Sequence, residues 1–149
     1  MSNNYFWPSS QGWLLILESD SSNFFLLNPM TMQRIELPPL VLSSPLDIAE
    51  YKLVLSSSPA DQDFVVMLVN LCEDSIRFYH MGHDWILYEY GSMLQENDYI
   101  TGVVSSNGIF YGCTFQSNIF LIECVPCPQL TLVDGKDYKY RSTWFLLFL

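Results

Sequence analysis

Phe24-Phe25-Leu26-Leu27, Ile76-Arg77-Phe78-Tyr79 and Ile119-Phe120-Leu121-Ile122 are three apolar runs that occupy the same place in a recurring pattern. Each follows another strand-like run about ten to twelve residues earlier: Gly12-Trp13-Leu14-Leu15-Ile16, Phe64-Val65-Val66-Met67-Leu68 and Gly108-Ile109-Phe110-Tyr111-Gly112. The later runs begin at residues 24, 76 and 119, offsets of 52 and 43 residues. That spacing is near the roughly 40 to 50 residue period of four-stranded propeller blades. The expectation is an all-β chain, a partial β-propeller of about three four-stranded antiparallel blades. The blades are placed at 11–45, 46–98 and 99–140, after an N-terminal extension over 1–10 and before a truncated apolar tail.

Working outward, each repeat alternates strands with turn chemistry. Ser19-Asp20-Ser21-Ser22-Asn23 is rich in side chains that bond their own backbone. Asn28-Pro29 breaks the ladder, because proline lacks an N–H and biases its predecessor away from helix, and Pro38-Pro39 stops a short strand over Arg34 to Leu37. The second repeat reads as strands at Tyr51 to Ser56, Asp63 to Leu71, Ser75 to His80 and Asp84 to Tyr90. The third reads as Tyr99 to Val104, Gly108 to Cys113, Asn118 to Val125 and Leu130 to Val133. Phe64 to Leu71 is apolar on both faces, as for an inner strand with a blade on either side. Ser75 to His80 mixes Arg77 and His80 among apolar residues and reads as more exposed. Helical spacing is confined to single turns at Leu46 to Tyr51 and Ser92 to Asn97.

Composition sets the class. The 149 residues are 50% hydrophobic and 15% aromatic, ample for a packed core and far from the profile of a disordered chain. Net charge is −10, and three of the six basic residues (Lys136, Lys139, Arg141) fall in the last fourteen positions. Phosphate contacts need clustered Lys or Arg, so neither nucleic acid nor an anionic membrane is an expected partner. Met1-Ser2-Asn3-Asn4 lacks a secretory pattern and no Asn-x-Ser/Thr sequon occurs. The four cysteines are therefore expected as thiols in a cytoplasmic or nuclear compartment. No apolar run reaches the roughly 18 residues of a spanning helix.

Several phrases together resemble the plant F-box-associated kelch-like propellers of the KIB type, long filed as a domain of unknown function. They are Gly12-Trp13-Leu14, Phe25-Leu26-Leu27-Asn28-Pro29, Ile35-Glu36-Leu37-Pro38-Pro39, Lys52 to Pro59 and Asp63-Phe64-Val65-Val66, with Trp85 and Gly108-Ile109-Phe110-Tyr111 behind them. The resemblance covers roughly residues 10 to 133. It implies a propeller that selects a protein for ubiquitination, joined in such proteins to an F-box that docks a Skp-type adaptor. No leucine-rich helical segment reads as an F-box, so that adaptor is not an expected partner of this stretch. The family's propellers have more blades, and the apolar end Trp144 to Leu149 reads as a blade cut short. An open arc leaves blade faces uncovered, which predicts marginal stability or self-association through those ends.

Chemistry is sparse. His80-x-x-His83 and Cys124-x-x-Cys127 are ligand types that zinc accepts in a tetrahedron, and they fall at equivalent turns of successive repeats. The plainer reading is a tight turn with Gly82 at a positive φ, and two small strand-end cysteines beside Pro126 and Pro128. A hydrolase would need a serine or cysteine with a positioned base; there is no Gly-x-Ser-x-Gly elbow, and only the two turn histidines could serve. The acid pairs Asp61/Asp63, Glu73/Asp74 and Glu96/Asp98 fall in loops, where carboxylates form turns and face solvent. No nucleotide-binding loop is present, so no cofactor is expected.

Trp13, Phe24, Phe25, Phe64, Phe78, Phe110 and Phe120 are expected in blade cores. Trp85, Tyr88, Tyr90 and Tyr99, with Tyr5-Phe6-Trp7, lie near strand ends or outside the repeats, where Tyr and Trp anchor interfaces. The leading expectation is a non-catalytic protein-interaction module whose acidic loops favour a basic partner. The alternatives are an inert or interfering fragment, and a small hydrolase on a propeller scaffold.

Overall fold

The computed structural model describes residues 4–9, 11–18, 23–40, 51–59, 63–124 and 128–133. Twelve strands form three four-stranded sheets, each an antiparallel meander in chain order. Blade A holds β1 (Asn4–Pro8), β2 (Leu14–Glu18), β3 (Asn23–Leu27) and β4 (Arg34–Leu37). Blade B holds β5 (Tyr51–Leu55), β6 (Val65–Asn70), β7 (Ser75–His80) and β8 (Ile86–Glu89). Blade C holds β9 (Ile100–Ser106), β10 (Ile109–Thr114), β11 (Ile119–Glu123) and β12 (Gln129–Leu132). The partial propeller read from the sequence is present, and the repeated runs are the second and third strand of every blade.

The first strands lie innermost, with β5 beside both β1 and β9. They meet at the Leu55 carbonyl, which accepts hydrogen bonds from Gln11 Nε2 of blade A at 3.3 Å and from Ser105 Oγ of blade C at 2.6 Å. The expected N-terminal extension is instead the first strand of blade A. Asn4–Pro8 pairs with Leu14–Glu18, and Trp7 is buried and stacked near Phe24 with ring centroids 6.2 Å apart. The closing Pro8 sits at a strand end, where its missing N–H is tolerated.

Blade B is the middle layer, and alternation along its strands feeds two cores. Val66 and Leu68 of β6, Leu53 and Leu55 of β5 and Tyr79 of β7 face blade A, joining Trp7, Leu15, Leu17, Phe24 and Leu26. Val65, Met67 and Val69 of β6, with Val54, Ile76 and Phe78, face blade C, joining Val103, Phe110, Phe120 and Ile122. All six residues of β6 are buried, as its two-sided apolar pattern demands, although β5 and not β6 is innermost. β7 is also mostly buried, against its more exposed reading: only Arg77 and His80 reach partway to solvent, because both of its faces lie between blades. Each fully buried aliphatic side chain here contributes about 2 kcal/mol of transfer free energy.

Turns follow their residues. Asn107 and Gly108 take φ of 52° and 78° between paired Ser106 and Ile109, the two-residue hairpin geometry whose twist suits antiparallel strands. Asn28 Oδ1 accepts the Met30 N–H, and Asn70 Oδ1 accepts those of Cys72 and Glu73, each side chain closing its own turn. A short 3-10 turn at Gly91–Met93 falls beside the helical turn expected at 92–97. The one expected at 46–51 lies largely outside the described residues.

Candidate partner-binding site

The meander places loops on two rims. One carries the turns that follow the first and third strands of each blade. The other carries the turns after the second strands and the connectors between blades. His80, His83 and Cys124 lie on the first rim.

There a cleft of about 490 Å³ opens between blades B and C. Ser56, Ser57, Asp63, His80, Glu123 and Cys124 contribute to its wall. The structure thus brings His80 and Cys124 to one cleft, while His83 stacks its ring on His80 at 5.4 Å between centroids. Cys127 lies outside the described residues. Among the described residues no three His, Cys, Asp or Glu converge as metal ligands. Burial pushes the Cys124 thiol up to about 12, away from the thiolate that zinc requires. Gly82 adopts φ +87° and the His83 N–H bonds the His80 carbonyl at 3.0 Å, a tight turn. Ser56 is buried and its Oγ accepts the Val65 N–H at 2.7 Å, tying the β5–β6 loop to its own blade.

The four interface candidates from the sequence divide. Trp85 packs against the A–B core, tilted on Tyr79 at 5.6 Å and edge-on to Phe24 at 6.3 Å. Its indole N–H donates to the Pro38 carbonyl at 2.8 Å, so it fastens the exit of blade A to blade B. Tyr88 is partly buried against the B–C core. Tyr90 is 1% exposed, a core residue with no face left for a partner. Burial pushes its hydroxyl up to about 12, the nearby Asp74 charge adding to the effect and a backbone hydrogen bond from Ile100 opposing it. Of the N-terminal aromatics, Trp7 is buried and Phe6 exposed. Tyr99 is 43% exposed, on the second rim.

Tyr99 does not stand alone. Its ring stacks on Phe115, which is 63% exposed, with centroids 5.1 Å apart and planes 9° from parallel. The two residues come from different loops, and Asp98 joins them. Its Oδ1 accepts the N–H groups of Tyr99 at 3.0 Å and Gln116 at 2.8 Å; its Oδ2 accepts Thr114 Oγ1 at 2.7 Å and Asn118 Nδ2 at 3.1 Å. The Phe115 N–H bonds the Tyr99 carbonyl at 2.9 Å, and Gln116 Nε2 reaches the Glu96 carbonyl at 3.1 Å. Asp98 was expected in solvent, yet it is 6% exposed. Burial alone would push its carboxyl up, but the bonds from Gln116, Thr114, Asn118 and Tyr99 outweigh that and hold it below the usual range.

Sequence reasoning missed Phe115 and Asp98. The available signal was the Phe115-Gln116-Ser117-Asn118 turn, which carries an aromatic at a hairpin tip where turn residues are ordinarily polar.

Three meandering blades packed about their first strands define a propeller, and comparison with known proteins says which kind. The chain belongs to the KIB1-4 beta-propeller family, whose pattern matches residues 1–143 and so takes in β1. It is also similar to an F-box/kelch-repeat protein of Arabidopsis thaliana, 36% identical over 115 residues. That match covers 74% of this chain and 31% of the relative, so the chain spans about a third of the relative's length. No helix among the described residues is long and apolar enough to cross a membrane.

Proposed function

We propose that this chain is part of a protein-recognition propeller of the F-box type, which binds a partner through rim loops and carries out no chemical step itself. The observation that carries the reading is the second rim, where an exposed aromatic pair is held by a buried hydrogen-bond network on a blade scaffold of this family. In a protein with an F-box, such a rim would select the protein to be ubiquitinated while the F-box engages a Skp-type adaptor. The thiols of Cys113 and Cys124 suit a reducing compartment, cytoplasmic or nuclear. The cleft of the first rim contains serine, imidazole and carboxylate, but the described bond of Ser56 Oγ is to backbone, which favours recognition over hydrolysis.

The test places a photo-crosslinking residue at Gln95 on the second rim, at Met30 on the first, and at Leu87 on the outer strand β8, all exposed. Saturable adducts with plant proteins, competed by untagged chain and confined to rim positions, are the expected result. Equal labelling at Leu87, or no competed adduct at either rim, would refute a rim-binding function.

A further inference from the structure

We propose that the Tyr99–Phe115 pair is a preorganised platform on which a basic protein segment lays an arginine side chain. This rests on the rim-binding reading above and specifies the site and the chemistry of the partner.

Geometry is the first support. The two stacked rings gain about 1 kcal/mol from each other, yet both stay largely open to solvent, at 43% and 63% exposure. Their backbones are nonetheless fixed by direct bonds: the N–H of Tyr99 to Asp98, the N–H of Phe115 to the Tyr99 carbonyl, and the N–H of Gln116 to Asp98. Each arm also holds a non-glycine residue in the left-handed region, Asn97 at φ 65° and Ser117 at φ 66°. Placing rings on a rigid mount reduces the ordering entropy lost when a partner binds.

Charge is the second support. The described loops of this rim carry the exposed carboxylates Glu73, Asp74 and Glu96 and no Lys, Arg or His. A ring face on a rim whose loops carry carboxylates attracts a planar guanidinium, which can stack on the ring and still direct its N–H groups outward. The same acids repel phosphate, which turns the surface away from nucleic acid and anionic lipid. The chain itself contains the constellation in satisfied form. On blade A the Arg34 guanidinium lies 3.6 Å from the Phe25 ring centroid, paired with the carboxylates of Glu36 and Glu18. On the second rim the rings and acids are present, the described loops supply no cation, and the exposed cation described at that end of the blades is Lys52 at the start of β5.

The probe is an N-acetylated, C-amidated Gly-Arg-Arg-Gly peptide, compared with the same peptide carrying citrulline, which keeps the shape and loses the charge. Titrations use the 149-residue chain and are read by NMR at the backbone amides of Gln116 and Asn118, beside the ring pair and present in every variant. Saturable shifts with arginine, weakened about tenfold by citrulline and by Tyr99→Ser/Phe115→Ser together, are expected. Tyr99→Phe, which keeps the ring, should bind as the parent does, and backbone amide shifts of the double variant that match the parent away from the second rim show that its loss of binding is not unfolding. Equal binding of the citrulline peptide, or full binding by the double variant, would overturn the platform. Rim adducts at Gln95 that survive the double substitution would also overturn it while leaving the rim-binding function standing. Absence of all rim adducts beside a positive titration would instead retain the platform and reject that function.

Discussion

Asp98 concentrates more structure than any other polar residue described. Four donors surround its carboxylate, so Asp98→Ala leaves the Thr114 hydroxyl without its acceptor in a buried site and the Gln116 N–H without its acceptor in a partly buried one. A loss of about 3 kcal/mol is expected by chemical denaturation. Because its folded pKa is lowered, its contribution is complete above the ordinary carboxylate pKa and disappears as pH falls through the lowered one. The stability difference between parent and Asp98→Asn should therefore shrink in acid, measured as melting temperature against pH. Tyr90 gives the opposite arm. Its hydroxyl is raised to about 12, so its contribution is complete below the ordinary phenol value near 10 and is lost as pH rises toward 12. Tyr90→Phe should cost about 1 kcal/mol at neutral pH and soften the alkaline loss. Neither role was legible in the sequence. Asp98 looks like any loop acid until Gln116 and Thr114 arrive from the next hairpin, and Tyr90 looks like a strand-end aromatic until blade C covers it.

At the level of elements, the second and third strands were legible because an apolar run bounded by Gly, Pro, Asn and Ser needs no tertiary knowledge to be read as a strand. β1 was not, since Asn4–Pro8 begins polar, ends in proline and becomes a strand only through its register with Leu14–Glu18. Trp85 fell between these cases: its place near a strand end was clear, its role was not. It acts as a clasp between neighbouring blades through the Pro38 carbonyl. Trp85→Phe should keep most of the packing and lose the hydrogen bond, costing about 1 kcal/mol, whereas Trp85→Ala should cost about 3 kcal/mol or more. Equal losses for the two, by urea denaturation, would show that the bond rather than the ring fastens the blades.

For the molecule as a whole, blade B alone has a described blade on each face. Blade A turns Phe6, Leu14 and Ile16 outward, and blade C turns Ile109, Tyr111 and Leu121 outward, all exposed or half-exposed. At about 25 cal/mol per Å², a few hundred Å² of such surface is worth several kcal/mol, so the 149-residue chain by itself is expected to self-associate. Light scattering over a concentration series should show mass rising with concentration; a monomer with a concentration-independent melt would refute this. The two-sided burial of β6 separates neighbours in sequence by energy. Val66 and Met67 are covalently adjacent but belong to different cores, whereas Met67 shares a core with Phe110 from forty-three positions on. In double-mutant cycles the free-energy losses of the adjacent pair should add, and those of the distant pair should not. A single-residue deletion in β6 would exchange the two sets of side chains and place each in the core built for the other.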